Sequence, residues 1–261
     1  MDFGLSIPSR LWDGLPVEDG IPMCPDCHTP RAVMVDGRLM PCLCRCQEEA
    51  RGREERESEE RERNARIERL LRAAFSSSEM RECTFDADDG RYGKAQMEVC
   101  RRYAERCAAG ADYGLLMFGE PDGGKTFASC CIANELVRRG MRVVMRSVPQ
   151  LIIARNLDDE QQLRSLLSCD LLILDDLGAE RSTSYAQEFV YAIVDGRYQQ
   201  RKPMVVSTNL TRTELYKTPD ITARRTYNRI LEMCLPVEFD TGRKRATAER
   251  YEAMRRDLGL Q

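Results

Sequence analysis

Residues Gly119 to Thr126, GEPDGGKT, have the types and the spacing of a loop that holds a phosphate group. They fit the pattern G-x-x-x-x-G-K-[ST], and they lie between a strand-like apolar run and a helical pattern, which is the setting the motif requires. Glycines let backbone N–H groups approach an anion, and the start of a helix adds a positive field. The pattern therefore predicts triphosphate binding, with Lys125 as a point charge and Thr126 as a Mg²⁺ ligand.

The predicted ATP-binding segment extends over the whole loop and one residue beyond it. Its members are Gly119, Glu120, Pro121, Asp122, Gly123, Gly124, Lys125, Thr126 and Phe127. Asp122 is unusual in such a loop, because an acid beside phosphate costs electrostatic energy unless it points to solvent. A chance glycine turn is the alternative, but the strand and helix on either side argue against it.

Two acids and an asparagine follow two later apolar runs. DLLILDD ends in Asp175 and Asp176, and VVSTN ends in Ser207, Thr208 and Asn209. Ligands of a parallel sheet lie beyond the carboxyl ends of its strands. Asp175 is thus a candidate Mg²⁺ partner, and Asp176 a candidate for orienting or deprotonating the attacking water. Taken alone, the acids also fit a helix cap, and Ser-Thr-Asn is ordinary turn chemistry.

Two arginines share one face of a further helical pattern. Arg225 and Arg229 are four residues apart in TARRTYNRILEMC. An arginine presented to the ATP of a neighbouring subunit stabilises charge at the transferring phosphoryl group. Judged by these residues alone, a surface arginine or a salt bridge is the favoured interpretation.

Five of the 12 cysteines crowd into CPDCHTP and PCLCRCQ, near the N-terminus. Two close pairs of thiols at these spacings can converge on Zn²⁺. Cys24 and Cys27 form the first pair, and Cys44 with Cys46 is preferred for the second, with Cys42 as an alternative. The single histidine follows Cys27 directly, which makes its convergence awkward. A metal-free thiol cluster and an iron–sulfur cluster are weaker alternatives. The scattered cysteines fit small buried apolar residues.

The elements that must position these residues alternate along most of the chain. Short apolar runs such as GLLMF, DLLILDD and PMVVST are separated by amphipathic stretches, which predicts a parallel sheet covered by helices on both faces, an α/β fold. With 261 residues, 42% hydrophobic and 32% charged, the composition is that of an ordinary globular protein. No apolar run reaches the roughly 18–20 residues of a membrane span, and no signal peptide is recognised. A cytoplasmic location without membrane contact is expected.

Three segments are predicted from changes in composition. Residues 1–50 are turn-rich and form the cysteine-rich zinc module, residues 51–72 form a charged helical linker, and residues 73–261 form the ATPase domain. Arg and Glu alternate in the linker and supply i,i+4 pairs, so the helix has almost no face to bury.

The motifs together resemble the DnaC/IstB branch of the AAA+ ATPases, over roughly residues 73–245. The runs YGLLMFGEPDGGKTFASCCIANEL, LLILDDLGAERST, FVYAIVDGRYQQRKPMVVSTNL and RTYNRILEMCLPVEF carry the likeness. By this resemblance, Gly119 to Thr126 form the Walker A loop, Asp175 and Asp176 the Walker B acids, and Asn209 sensor 1. Arg229 matches the arginine finger, and Arg225 is the second member of the pair.

The resemblance implies an ATP-dependent, DnaC-type loader of the replicative helicase, with an AAA+ core, ATP, Mg²⁺ and Zn²⁺. The zinc module would bind a DnaB-type helicase, and the complex would place it on single-stranded DNA. A homo-oligomer is implied when ATP or the helicase is bound, and hydrolysis is expected to be slow and stimulated by partner and DNA. Little chain follows LPVEF, so no lid or a minimal one is expected. An IstB-like regulator of transposition and a non-hydrolysing adaptor are the alternatives.

Overall fold

The computed structural model describes residues 13–90, 92–154, 159–179, 184–239 and 254–257. The chain divides into two compact units, Met1–Ala65 and Arg66–Gln261. Each unit is described separately below.

The first unit contains two small antiparallel pairs and most of a long helix. β1 (Val17–Glu18) pairs with β2 (Ile21–Pro22), and β3 (Ala32–Val35) pairs with β4 (Arg38–Pro41). The helix α1 (Arg45–Ala74) begins between Cys44 and Cys46, and its residues from Arg66 onwards belong to the second unit.

The predicted linker, residues 51–72, lies entirely within α1. Its surface is charged, with i,i+4 ion pairs such as Arg51–Glu55 at 2.7 Å. Such exposed pairs contribute little to stability, because solvent and salt screen them. The one buried residue of α1 is Ala74, which lies beyond the linker. Both predicted segment boundaries fall inside this continuous helix, and the proposed division into module, linker and ATPase domain stays a prediction.

The second unit is built on a five-stranded sheet whose neighbouring strands are all parallel, in the order β6-β7-β8-β5-β9. The strands are β5 (Gly114–Phe118), β6 (Val143–Ser147), β7 (Leu171–Leu177), β8 (Met204–Thr208) and β9 (Cys234–Glu238). The helices are α2 (Lys94–Ala108), α3 (Lys125–Arg138), α4 (Val148–Ala154), α5 (Asp159–Ser168), α6 (Ser184–Gln199), α7 (Arg212–Lys217) and α8 (Ile221–Met233). The predicted α/β fold is confirmed.

The strands are apolar throughout because both faces of the sheet are covered. In β5, Leu115 and Met117 join one hydrophobic core, and Leu116 and Phe118 join the other. Alternate side chains of a strand point to opposite faces, so one continuous apolar run supplies both cores. Six of the seven cysteines outside the N-terminal cluster are buried in these cores, as predicted.

A fully buried arginine ties two connections of the sheet together. The Arg197 guanidinium, in α6, donates to the carbonyls of Leu166 at 3.2 Å and Cys169 at 2.8 Å, and also to that of Pro203. Burial lowers the pKa of Arg197. The guanidinium thereby satisfies carbonyls in the last turn of α5, directly after α5 and directly before β8.

The strand order brings the carboxyl ends of β5, β7 and β8 to one edge of the sheet, with β8 between the other two. Of the helices in the described ranges, none is long and apolar enough to cross a membrane. The expected absence of a lid concerns the chain after Phe239, where only residues 254–257 belong to the described part.

Candidate functional site

The loop between β5 and α3 depends on glycine because the Phe239 backbone and the Tyr92 ring lie against it. Gly119 has a φ of 130°, and a Cβ built there would lie 2.7 Å from the Phe239 carbonyl oxygen. A Cβ on Gly123 would lie 2.8 Å from the same atom, and one on Gly124, at a φ of 92°, would overlap the Tyr92 ring. Larger residues at these positions would push the loop away from its neighbours.

Lys125 is the first residue of α3 and is only 5% exposed. Its ammonium donates to the carbonyls of Gly119 at 2.9 Å and Glu120 at 2.7 Å. Burial lowers the pKa of Lys125, and the charges of Asp176, Asp175 and Asp122 oppose that shift. The lysine is thus fixed inside the loop, in an acidic surrounding that compensates its charge.

The Thr126 hydroxyl donates to Asp175 Oδ2 at 3.0 Å. Asp175 is 4% exposed, and burial raises its pKa, while hydrogen bonds from Ser207 and Thr126 act in the opposite direction. A hydroxyl and a carboxylate oxygen at this separation are the oxygen ligands that Mg²⁺ takes in phosphate-binding loops. The pair fits a Mg²⁺ ion bound together with nucleotide.

The pairing of β7 with β8 is irregular at the two acids. Leu174 pairs with Val206 and Leu177 with Thr208, so two residues of β7 stand opposite Ser207. The second of them, Asp176, has a φ of 58°, the left-handed region that few residues other than glycine adopt. This is a β-bulge.

A cavity of about 310 Å³ lies beside the loop. Its lining brings together most of the residues predicted from the sequence: Pro121, Asp122, Gly123, Gly124, Lys125, Thr126, Phe127, Asp176 and Asn209. Gly119 and Glu120 contribute the carbonyls that hold Lys125.

Tyr92 also lines the cavity, and no sequence pattern singled it out. It precedes α2, and its ring stacks on that of Phe127, with centroids 4.9 Å apart and planes at 30°. A lone aromatic residue in a polar loop has no motif around it, so only the folded chain reveals its position against Gly124.

The two arginines lie in α8 and are not among the residues that line this cavity. Arg225 is exposed. The Arg229 guanidinium lies 3.2 Å from Asp195, 3.6 Å from Glu232 and 4.0 Å from the Tyr198 ring centroid. Within one subunit, Arg229 therefore has carboxylate and aromatic partners of its own, and its role towards a neighbouring subunit stays a prediction.

In the first unit, one sulfur from each of Cys24, Cys27, Cys44 and Cys46 lies within 4.8 Å of the others. The Sγ atoms of Cys44 and Cys46 are 3.3 Å apart, and those of Cys24 and Cys46 are 3.6 Å apart. Tetrahedral zinc with Zn–S bonds of about 2.3 Å separates its sulfurs by about 3.8 Å. The four thiols fit such an ion. Cys42, the alternative ligand, instead donates to the Pro30 carbonyl at 3.5 Å.

The thiols of the cluster differ in acidity. The Thr29 hydroxyl lowers the pKa of Cys27 to about 5, whereas the hydrogen bond to Cys44 raises that of Cys46 to about 12. Hydrogen bonds from the backbone at Cys27 lower the pKa of Cys24. A divalent cation takes the place of the protons that such crowded thiols must otherwise share.

Comparison with known proteins matches residues 48–248 to the sequence family of IstB-like ATP binding proteins. The chain is similar to the replicative helicase loader DnaI of Bacillus subtilis (strain 168), with 29% identity over 151 residues, 52% of this chain and 49% of that protein. It is 28% identical to the replicative helicase loader DnaC of Escherichia coli (strain K12) over 165 residues, 59% of this chain and 66% of that protein.

A third relative is a putative insertion sequence ATP-binding protein of Sinorhizobium fredii (strain NBRC 101917 / NGR234), 30% identical over 149 residues, 54% of this chain and 49% of that protein. The chain thus spans about half of the DnaI and insertion sequence relatives and 66% of the DnaC relative.

Solved structures agree on the fold. The crystal structure of DnaI superposes with a TM-score of 0.53 at 25% identity, over 66% of this chain and 97% of that one. The crystal structure of the DnaC helicase loader superposes with a TM-score of 0.53 at 21% identity, over 63% of this chain and 100% of that one.

Proposed function

Since the chain belongs to the family of IstB-like ATP-binding proteins, we propose that it hydrolyses ATP in order to load a DnaB-type replicative helicase onto single-stranded DNA. The likeness to two proteins named replicative helicase loaders supports the choice of partner. A protein with this role works in the cytoplasm.

The observation that carries the ATPase part is the contact of Thr126 with Asp175, at 3.0 Å, beside a cavity that Lys125, Asp176 and Asn209 also line. A triphosphate in the loop would be held by backbone N–H groups and by the start of α3. Lys125 would exchange its loop carbonyls for phosphate oxygens. Thr126 and Asp175 would hold a Mg²⁺ ion, which would neutralise charge on the phosphate groups.

The remaining side chains fit hydrolysis by an in-line water. Asp176 lines the cavity. If Asp175 coordinates the metal, the Asp176 carboxylate can orient the water and accept its proton. The Asn209 side chain, at the end of β8, offers an amide donor to the γ-phosphate. Arg229, with Arg225 one turn away, would complete the site of a neighbouring subunit in an ATP-bound or helicase-bound homo-oligomer.

The first unit would supply the grip on the helicase. Four thiols that fit zinc would fix the fold of residues 1–50, since a small segment of this kind has little core of its own. Zinc content, measured by metal analysis of protein purified without added metal, tests this part. One zinc per chain is expected, and a colourless preparation argues against an iron–sulfur cluster.

The decisive experiment measures helicase loading by the full chain. A DnaB-type helicase is mixed with circular single-stranded DNA, ATP and this protein, and DNA-bound helicase is isolated by gel filtration. Loading should require the protein and ATP. Asp176→Asn is the matched variant, because Asn also tolerates a positive φ. It should bind ATP as tightly as the parent and fail to hydrolyse it. A parent chain that neither binds the helicase nor hydrolyses ATP in its presence would refute the proposal.

An IstB-like regulator of transposition is the second candidate, and the insertion sequence relative favours it. Such a protein would work with a transposase on duplex DNA. The four-cysteine cluster supports the loader, since by resemblance the transposition proteins begin with a helical region instead. ATPase stimulation by duplex DNA with no response to helicase would favour this second function.

A further inference from the structure

The alternation of β7 side chains between the two faces of the sheet is shifted by one residue at Asp175 and Asp176. Leu171 and Ile173 belong to one hydrophobic core, and Leu172 and Leu174 belong to the other, as strand alternation requires. With regular alternation Leu177 would return to the first core, but it packs in the second, with Leu174.

The extra residue of the bulge explains this shift in the alternation of side chains. Asp175 and Asp176 together occupy the position opposite Ser207 that one residue would fill in a regular ladder. In a regular strand, two consecutive carboxylates would point to opposite faces of the sheet. The bulge releases the second acid from that rule, and Asp176 reaches the cavity while Asp175 contacts Thr126.

A single hydroxyl holds both members of the bulge. Ser207 is fully buried, and its Oγ donates to Asp175 Oδ1 and accepts from the backbone N–H of Asp176 at 3.1 Å. A hydroxyl offers one donor and two acceptor sites, so both contacts can form at once. Alanine would leave the Asp176 N–H and one Asp175 oxygen without this partner.

We infer that Ser207 is a positioning residue of the nucleotide site, which fixes Asp175 towards the metal and Asp176 towards the attacking water through the bulge between them. The inference rests on the proposed function, since it assigns to Ser207 the orientation of the two acids of that site. Ser207 is not among the residues that line the cavity, and its effect would run through the two acids that it holds.

The neighbouring hydroxyl supplies a matched control. Thr208 is also fully buried, but its Oγ1 donates to the Leu177 carbonyl at 2.6 Å and accepts from Leu210 N–H at 3.1 Å. Neither of these hydrogen bonds involves Asp175 or Asp176. Thr208→Val removes a buried hydroxyl from the same strand while keeping the shape of the side chain. A general loss of stability in β8 would affect both variants, whereas loss of metal positioning would affect only Ser207→Ala.

The test measures Mn²⁺ in place of Mg²⁺, on the full chain with a saturating non-hydrolysable ATP analogue. Free Mn²⁺ is read from its electron paramagnetic resonance signal, and the fold is checked by circular dichroism. Ser207→Ala should weaken Mn²⁺ binding roughly tenfold, the scale of residues that orient metal ligands. Binding of the analogue in EDTA should stay within about twofold of the parent. In ATP hydrolysis, kcat should fall by about tenfold with KM for ATP unchanged.

Thr208→Val should match the parent in Mn²⁺ affinity. A folded Ser207→Ala that holds Mn²⁺ as tightly as the parent would overturn the inference. If Ser207→Ala does not fold, Ser207→Cys replaces it, because a thiol has nearly the same size but is a weak donor. Parent-like Mn²⁺ affinity in Ser207→Cys would likewise overturn the inference. A parent chain that takes up no metal–nucleotide would remove the proposed function and, with it, this inference.

Discussion

Replacing Gly124 by alanine should damage the nucleotide loop in two separable ways. Gly124 has a φ of 92°, and a Cβ there would overlap the Tyr92 ring. A left-handed backbone costs an L-residue about 1–2 kcal/mol, and forcing an extra methyl into a packed site costs about 1–3 kcal/mol. The expected loss of unfolding free energy is therefore about 2–5 kcal/mol.

Gly140 provides the control for the backbone part. Its φ of 88° is nearly the same, but a Cβ there would meet nothing within 4 Å. Gly140→Ala should therefore lower the free energy of unfolding only by the cost of backbone strain, about 1–2 kcal/mol. The difference between the two variants isolates the contact with Tyr92.

A double-mutant cycle completes the experiment. In a Tyr92→Ala background the ring is absent, so Gly124→Ala should lose about as little as Gly140→Ala, and the coupling energy should be about 1–3 kcal/mol. Urea unfolding of nucleotide-free protein, followed by far-ultraviolet circular dichroism, gives each free energy. Equal losses for the two glycines, or an unchanged loss without the ring, would refute the reasoning.

Three further outcomes are expected. Cys24→Ser should lose the bound zinc whereas Cys42→Ser should retain one ion per chain, as counted by metal analysis; the reverse would move the ligand set. Asp175→Asn should raise the melting temperature of nucleotide-free protein at pH 7. Burial raises the pKa of Asp175 in the native state. The contribution of this acid to stability is therefore present below its unfolded-state pKa and is lost as pH rises through its native-state pKa. The gain should therefore shrink towards about pH 4, and a gain independent of pH would contradict this reasoning. Arg197→Met should destabilise the protein by roughly 3 kcal/mol or more, because it leaves several buried carbonyls without a donor. Arg102 forms an exposed ion pair with Glu98 at 2.6 Å, and Arg102→Ala should change stability by less than about 1 kcal/mol. Similar urea midpoints for the two variants would show that the bonds of Arg197 do not stabilise the fold.

The sheet was predictable because its strands are apolar on both faces. The run GLLMF corresponds to β5 without a shift, and the other predicted runs differ from their strands by one or two residues at the ends. Phosphate-loop chemistry is local in sequence, so Gly119 to Thr126 were recognisable as a unit. Cys44 and Cys46, the preferred second pair, lie in the four-sulfur cluster, and their role as zinc ligands stays a prediction.

What the sequence did not reveal depends on contacts between distant segments. Ser207 was recognisable as a strand-end residue, but its bond to Asp175 depends on a bulge in the neighbouring strand. Arg197 stands in a polar stretch typical of a surface, yet it is fully buried. Tyr92 meets Gly124 only because the segment before α2 passes over the loop. Local patterns carry no information on such pairings.

The position of Lys125 has a practical consequence for the substitution most often chosen to silence a phosphate loop. Its ammonium donates to two carbonyls of its own loop, so removing it takes away two internal hydrogen bonds as well as a charge for the triphosphate. A Lys125→Ala chain that fails to bind ATP would not reveal which of these two losses is responsible. Its melting curve belongs beside every such measurement. Asp176→Asn keeps both hydrogen bonds of Lys125 and removes only a nearby charge, so it is the cleaner way to stop turnover.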